Sequence, residues 1–520
     1  MFRRFRTIAN QINPNLHYED MTTKVFLRLW AKSIVVGAVA GFFGATFRYL
    51  IQEGELYRHA LFASITFWQS LGWVLLMIVL GWGCYKFLEW APLSGGSGIP
   101  QIEAELMGIF NMRAARTLIS KYAGGVMDGL CGFSVGREGP SIQLGGAAAK
   151  IVANWFKSSL HETRLLITAG AASGLTAAFS APVASSMFAF EEVHKSFYPL
   201  LVVPVLTACM VANLVTAMIF GMGPSLSFTV TNPLPLTYFG PLIALGFFIG
   251  FIGIIFNKSI LLFKRVFTAM PIPGSLKIIA TFLIVTMVGY DAQELLNGGN
   301  LLIGHIALEE HALLFCLGIL AGKILLTSLC YGCGAQGGLF FPMLTIGASA
   351  GAFLYTFFVG LGWVPAGTFQ ANFAICAMSG ILASAMRTPL LGILLVLEMS
   401  DSLYSFYQVG ITAVIAYAVA ELCKEIPIYD GLLELMLKNK KEVEGDLSQT
   451  FFNAKLSTIS QWEGKRIQDL QLPDGVFIVS IERHGEHVFP EPRTILHAQD
   501  ELYVSSELSS LDEAKRIFKE

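Results

Sequence analysis

Apolar segments of near-membrane length constrain the fold of this chain more than any other feature. A helix needs about 20 predominantly apolar residues to cross the hydrocarbon core of a bilayer. Segments of this kind lie at 33–52, 69–85, 200–221, 237–256, 276–290, 311–330 and 407–420. Only 14% of the 520 residues are charged, whereas soluble proteins carry about a quarter. We therefore predict an all-α polytopic membrane protein rather than a β-barrel, which would show short alternating strands.

Other apolar stretches are interrupted by glycine and proline, most clearly at 93–112 and 331–352. Broken helices persist at membrane depth only where protein or a water-filled cavity shields their free backbone groups. This pattern favours a transporter or channel.

Basic residues at both ends of the apolar region predict its orientation. Cations precede the first span at Arg3, Arg4, Arg6, Lys24 and Arg28. Others follow the last span at Lys438, Lys440 and Lys441. Both termini are therefore expected in the cytoplasm. The first 25 residues lack a continuous apolar core, so no cleavable signal is expected. We predict a multi-pass protein of the inner or plasma membrane.

The cysteine and histidine patterns do not indicate a metal site. Of eight cysteines, only Cys330 and Cys333 form a CxxC pair, and a zinc site would need a second pair. The nine histidines include no HExxH motif. No cofactor is expected, and the absence of a basic stripe argues against a nucleic-acid partner.

Two pairs of segments indicate an internal repeat. The similar segments are 136–149 with 337–350, and 173–192 with 379–399. Pro140 and Pro342 lie 202 positions apart, and Pro182 and Pro389 lie 207 apart. Transporter folds often consist of such repeats, with the substrate site at their interface. The repeats are expected at about 31–220 and 237–420.

Three glycine–proline motifs predict helix starts that could bind an anion. The motifs are GGSGIP (95–100), GREGP (136–140) and GGLFFP (337–342). Proline suits the first helical turn, and glycine allows close approach to the backbone. A helix N-terminus offers free N–H donors and about half a positive charge. Partial charges of this kind bind a small anion and also release it, as conduction requires.

These motifs, in this order, resemble the signature set of the CLC chloride channel and transporter family over about residues 30–435. The sequence IPIYDGLL supplies the fourth family element, Tyr429. The resemblance implies a fold of two inverted repeats with broken helices, and a homodimer with one anion pathway in each subunit.

Carried over by motif, the resemblance implies a chloride site built from hydroxyl and backbone N–H groups. The Ser97 and Tyr429 hydroxyls and the N–H groups of Leu339 and Phe340 would hold the central ion. The same motifs add Gly98, Ile99, Arg137 and Gly139 to the chloride-binding set. Serine rather than proline at position 97 points to chloride instead of nitrate, and fluoride is not expected.

Two glutamates carry the functional prediction. The resemblance makes Glu138 the gating carboxylate, which occupies an anion site when ionised and leaves it when protonated. Glu192 matches the internal proton relay of proton-coupled members, so we predict chloride/proton exchange. Three alternatives stay open: an Arg137–Glu138 structural ion pair, solvated helix-end charges at Glu191 and Glu192, and a passive voltage- or ligand-gated chloride channel. An intramembrane enzyme using Glu138 as general acid lacks a partner nucleophile, metal or nucleotide loop.

The C-terminal segment differs from the rest of the chain. We divide the chain into an N-terminal segment (1–30), a membrane domain (31–437), a polar linker (438–446) and a soluble α+β domain (447–520). The residue pattern of the soluble domain predicts strand–turn–strand at VFIVSIERHGEHVF, another strand at ELYVSSE and a closing helix at 508–520. This segment resembles the RCK-C (TrkA-C) domain, which implies pairing and a small nucleotide-like cytoplasmic ligand.

Overall fold

The computed structural model describes residues 23–444, except 196, 198, 227 and 231, and much of 449–507. The gaps in the second range are 457–461, 471, 474, 484–485, 489 and 499. The chain divides into a helical unit, Leu27–Leu433, and a C-terminal unit that begins at Glu434.

The helical unit consists of two series of helices with matching order. The first series is α1 Thr23–Phe62, α2 Phe67–Trp90, α3 Ile99–Leu106, α4 Ala114–Cys131, α5 Glu138–Trp155, α6 Leu160–Phe179, α7 Pro182–Phe188 and α8 Pro199–Phe220. The second is α9 Phe239–Ala269, α10 Gly274–Asp291, α11 Asn300–Leu308, α12 Leu313–Gly332, α13 Phe340–Gly360, α14 Gln370–Ala385, α15 Pro389–Met399 and α16 Phe406–Leu422. A final helix, α17, covers Ile428–Glu444. Each series has a short third helix, and Pro182 and Pro389 begin equivalent helices, as the repeat predicts.

Eight of the described helices are long and apolar enough to cross a membrane, and seven of them overlap the seven predicted segments. The eighth, Phe340–Gly360, begins after the interruption expected within 331–352, which the structure places between Gly332 and Phe340. The glycines at 337–338 lie in the loop before α13, and Pro342 occupies its first turn, where proline's missing N–H breaks no helical hydrogen bond. The helix is therefore continuous.

Glycine allows the equivalent helix pairs α5–α6 and α13–α14 to pack backbone against backbone. A Cβ on Gly145 would lie 2.1 Å from the Gly170 carbonyl oxygen. The equivalent Gly347 would place one 2.9 Å from the Ala377 carbonyl oxygen. Small residues are the usual means of close helix association in membranes. Here they occur at equivalent positions of the two repeats.

The C-terminal unit contains an antiparallel sheet with strand order β1-β4-β2-β3. The strands are β1 Gln449–Lys455, β2 Val476–Arg483, β3 Glu486–Val488 and β4 Glu501–Glu507. The two strands predicted in VFIVSIERHGEHVF and the ELYVSSE strand are confirmed, whereas β1 was not anticipated. The predicted turn at 484–485 lies outside the described residues. The predicted linker is helical as far as Glu444, and the predicted helix at 508–520 lies outside the described residues.

A bidentate ion pair joins β2 to the start of β4. Arg483 Nε and Nη2 donate to the two carboxylate oxygens of Asp500 at 2.9 and 2.8 Å, and the His497 N–H donates at 2.8 Å. Burial favours the protonated acid, but the hydrogen bonds from Arg483 and His497 outweigh it and hold the pKa of Asp500 below its usual range. Because the folded-state pKa is depressed, this stabilisation is complete above the ordinary aspartate pKa and is lost as pH falls through the depressed value.

We predict that Asp500→Ala loosens this sheet at neutral pH. Charge-assisted hydrogen bonds contribute about 1.5–3 kcal/mol, so amide hydrogen exchange in β2 and β4 should accelerate by roughly one to two orders of magnitude. Exchange measured by mass spectrometry on the full chain tests this, with the exposed Glu463→Ala as the matched control. Equal protection in the two variants would contradict the role of the ion pair.

Candidate anion and proton site

Three helix N-termini meet in the helical unit, at the motifs singled out in the sequence. Helices α3, α5 and α13 begin at Ile99, Glu138 and Phe340. A Cβ on Gly139 would lie 2.5 Å from the Ser97 hydroxyl oxygen and 3.0 Å from Gly338 Cα. Only glycine fits between these loops, so the three N-termini lie in direct contact.

Reciprocal backbone hydrogen bonds join the loops that precede α5 and α13. Gly136 N–H donates to the Gly338 carbonyl, Gly338 N–H donates to the Gly136 carbonyl, and both distances are 2.7 Å. The two glycines occupy nearly equivalent positions of the repeats. The halves of the unit therefore meet at a small, locally symmetric contact beside the helix starts.

Hydroxyl groups and backbone donors converge beside this contact. Ser97 and Tyr429 are fully buried, and their hydroxyls face each other. Neither hydroxyl oxygen has a hydrogen bond with good geometry to any residue the structure describes. The Tyr429 ring lies 6.3 Å from the Phe340 ring. Since the first N–H groups of a helix have no intrahelical partner, this arrangement could hold a small anion.

The predicted chloride-binding residues fall on these three helix starts and on α17. Ser97, Gly98 and Ile99 lie at the start of α3, with Gly98 in the left-handed conformation at φ 100°. Leu339 and Phe340 begin α13, Gly139 lies in the first turn of α5, and Tyr429 is the second residue of α17. The structure thus brings these predicted positions together.

Glu138 is the first residue of α5, and its carboxylate is fully buried. One carboxylate oxygen, Oε2, accepts a long hydrogen bond of 3.4 Å from the Phe341 N–H. Oε1 has no hydrogen bond to any described residue. A Cβ on Gly136 would lie 2.2 Å from Oε2, so the carboxylate lies against the symmetric glycine contact.

The Arg137 side chain lies close to the Glu138 carboxylate. Its Nε is 3.7 Å from Glu138 Oε1, an ion-pair distance without a hydrogen bond. The Arg137–Glu138 ion pair that the sequence leaves open can form because Arg137 precedes the helix rather than lying within it. The Arg137 guanidinium also lies 5.5 Å from the centre of the Phe341 ring.

A cavity of about 30 Å³ adjoins this carboxylate, and we call it the Glu138 cavity. Its lining includes Phe47, Glu55, Arg137, Asn297 and Phe341. A cavity needs only about 10–15 Å³ to hold a water molecule. The cavity therefore has room for water beside the carboxylate.

Glu192 lies on a π-helical turn, Ala189–Val193, that continues from α7. Such turns are rare and frequently occur at functional sites. The residue is 2% exposed and lines a larger cavity of about 380 Å³, which we call the Glu192 cavity. Lys195, Arg387 and Asp430 line the same cavity.

Glu191 has a different environment from Glu192. Its two carboxylate oxygens accept the N–H groups of Leu390 and Leu391 at 3.0 and 2.6 Å, which caps the start of α15. In the other repeat, Glu398 caps α7 through the N–H groups of Val183 and Ala184 at 3.2 and 2.8 Å. Neither glutamate is a free helix-end charge, and each repeat caps a helix of the other.

Two features near Glu192 were not found from the sequence. Glu103 on α3 is 1% exposed, its carboxylate has no hydrogen bond to a described residue, and it interacts electrostatically with Glu192. Lys195 and Asp430 form an ion pair at the Glu192 cavity. The available signal for Glu103 was its place four residues after Ile99 in the short helix that follows the GGSGIP motif, between apolar residues in the chain.

Comparison with known proteins assigns both parts of the chain. The family model described as voltage gated chloride channel matches residues 75–421. The TrkA-C domain model matches residues 456–519.

Relatives are named H(+)/Cl(−) exchange transporter ClcA. The protein of that name from Vibrio parahaemolyticus is 32% identical over 436 residues, covering 80% of this chain and 91% of its own. The one from Citrobacter koseri is 31% identical over 445 residues, covering 82% and 92%.

Solved structures agree with this assignment. A slow cyanobacterial Cl−/H+ antiporter superimposes with a TM-score of 0.74 and 30% identity, covering 80% of this chain and 99% of that one. A CLC-type fluoride/proton antiporter, 22% identical with a TM-score of 0.65, shares the fold. The chain is a multi-pass membrane protein of the voltage gated chloride channel (CLC) family that carries a C-terminal TrkA-C domain.

Proposed function

We propose that this protein is a chloride/proton antiporter in which Glu138 is the gate and Glu192 is the internal proton relay. The observation that carries the proposal is the buried Glu138 carboxylate at a meeting point of helix N-termini, where an anion would bind through the same kind of donor. The curated relatives named as proton/chloride exchangers support it.

The anion half of the proposal rests on hydroxyl and N–H donors. Chloride would be held by the Ser97 and Tyr429 hydroxyls and by the first N–H groups of α13, from Leu339 and Phe340. The sequence positions Gly98, Ile99, Arg137 and Gly139 would complete its surroundings. The four groups that would hold the central ion include no lysine or arginine side chain, so the ion would be bound weakly enough to leave.

The proton half rests on two buried carboxylates that each adjoin a cavity. Glu192 lines the larger Glu192 cavity, and Glu138 lines the smaller Glu138 cavity. A protonated carboxyl group can carry one proton into an apolar interior where the ion would be costly. Exchange would follow if Glu138 left its anion-competing position each time it took up a proton.

A passive chloride channel of the same fold is the second candidate. Anion-binding groups alone would suit either function. The burial of Glu192 favours the antiporter, because a carboxylate kept only for solubility would be solvated rather than 2% exposed.

The remaining features of the proposal concern assembly and the C-terminal domain. We propose a homodimer with both termini in the cytoplasm and with the domain boundaries given by the sequence. The TrkA-C domain would bind a small nucleotide-like ligand and regulate transport. The basic residues that follow the last span support its cytoplasmic location.

Glu138→Gln should allow chloride flux that no longer moves protons. Glutamine has nearly the shape of the protonated acid but cannot exchange a proton. In proteoliposomes under a chloride gradient, chloride efflux should continue while proton uptake falls to the level of empty vesicles. Wild-type coupling in this variant would show that the gate is another residue.

The neighbouring glutamates provide a matched pair of variants. Glu192→Gln should abolish chloride-driven proton uptake, whereas Glu191→Gln should retain it, because Glu191 is engaged with the α15 N–H groups. The Glu191 variant should instead lower thermal stability, since one of the two α15 N–H groups would lose its carboxylate acceptor. Proton and chloride fluxes measured in parallel test this. Loss of coupling in both variants, or in Glu191→Gln alone, would contradict the assignment.

Loss of both hydroxyl donors should weaken chloride binding. Each hydrogen bond contributes roughly 0.5–1.5 kcal/mol net, so Ser97→Ala with Tyr429→Ala should raise the chloride Kd by about five- to 150-fold. Calorimetric titration of the purified protein measures this directly. An unchanged Kd would place the anion elsewhere.

A further inference from the structure

Helix α4 contacts two of the loops that precede the converging helix starts. Lys121 and Asp128, two turns apart on α4, are both fully buried. The Lys121 ammonium donates to the carbonyls of Ser94 and Gly96 at 3.0 and 2.5 Å, in the loop before α3. The Asp128 carboxylate accepts the Gln336 N–H at 2.6 Å, in the loop before α13. One helix thus holds a loop from each repeat.

The Gln336 side chain links these loops to each other. Its Nε2 donates to the Ser94 and Ser120 hydroxyls at 2.5 and 3.0 Å, and the two hydroxyls are 2.8 Å apart. The neighbouring backbone adds a bond of 2.9 Å from Gly96 N–H to the Ala335 carbonyl. Gln336 is fully buried and lies three residues before Leu339. The loop bearing Ser97 is therefore tied by side chains to the loop bearing the α13 donors.

Gly124 shows how closely this network fits α4. A Cβ at this position would lie 1.2 Å from Gln336 Oε1, so any larger residue would displace the side chain. Gln336 Oε1 itself has no hydrogen-bond partner among the described residues. The glutamine is held by its two donor bonds and by contact with the helix. Loss of the Gln336 Nε2 donors should therefore shift the loop before α13, because no other hydrogen bond of this side chain could replace them.

We propose that Gln336, held against α4, is a positioning residue that sets the spacing between the Ser97 hydroxyl and the N–H groups of Leu339 and Phe340, and so determines which anions fit. This inference rests on the proposed function, because it takes those groups to be the anion site. The Gly136–Gly338 contact fixes the α5 and α13 loops through backbone alone. The α4 network is the corresponding tie for the α3 loop.

The test compares two buried glutamines. Gln336→Met keeps the approximate volume and removes both donor bonds. Gln370→Met is the matched control, because Gln370 is also buried and donates to two carbonyls, those of Ile306 and Glu309, outside the anion-binding loops. Chloride and thiocyanate Kd values would be measured by calorimetry on the purified full-length protein.

We expect Gln336→Met to raise the chloride Kd by roughly three- to tenfold and to reduce the preference for chloride over the larger anion. Ser120→Ala removes one of the two acceptors with little change in volume, so it should give a smaller change of the same kind. It also keeps the test decisive if Gln336→Met does not fold. Gln370→Met should have wild-type values.

The outcomes separate this inference from the proposed site. Wild-type Kd values in Gln336→Met and Ser120→Ala, together with weakened binding in the Ser97/Tyr429 double variant, would overturn the positioning role and leave the site in place. If chloride binding were also unchanged in the Ser97/Tyr429 double variant, both the positioning role of Gln336 and the proposed anion site would be overturned. An equal change in Gln370→Met would show a general packing effect and would also overturn the inference.

Discussion

Two short hydrogen bonds between Gly136 and Gly338 are the interaction on which the rest of the helical unit depends. They join the two repeats backbone to backbone at the point where α5 and α13 begin. Any side chain here would separate the loops, since a Cβ on Gly338 would lie 2.7 Å from the Gly139 nitrogen. Contact at this distance is what lets several helix N-termini face one small volume, and that convergence supplies positive potential without a bound cation.

A carboxylate beside such donors competes with any anion that enters the site. Under the proposed function, Glu138 is therefore a gate because of where its carboxylate lies. The ionised carboxylate would occupy the anion position, and the protonated carboxyl group would leave it. The reciprocal caps formed by Glu191 and Glu398 give a second use of the same physics, because there a carboxylate is held permanently by helix N–H groups. The same interaction between a carboxylate and helix N–H groups thus stabilises the fold at Glu191 and Glu398, where both carboxylate oxygens are hydrogen-bonded. At Glu138, where one oxygen has no such bond to a described residue, it would allow transport.

The sequence predicted the local features well and the long-range ones poorly. Glycine–proline motifs mark helix starts because proline and glycine act on their own backbone, so the starts of α3, α5 and α13 were predictable. The partners of Glu191 and Gln336 lie 199 and 242 residues away in the chain, and no local pattern indicates them. Arg137 approaches Glu138 because the helix begins at Glu138 and not one residue earlier. Sequence periodicity does not define a helix boundary to a single residue. The residue roles at the site remain predictions drawn from motifs.

Proton movement by the wild-type protein under a chloride gradient tests the central claim most directly. Liposomes containing the purified protein and high internal chloride would be diluted into low chloride at equal internal and external pH, with an external pH electrode. An antiporter moves protons inward against the gradient that develops, and a protonophore then releases them. We expect this uphill uptake. Chloride efflux without proton uptake would contradict exchange and establish a passive chloride pathway instead.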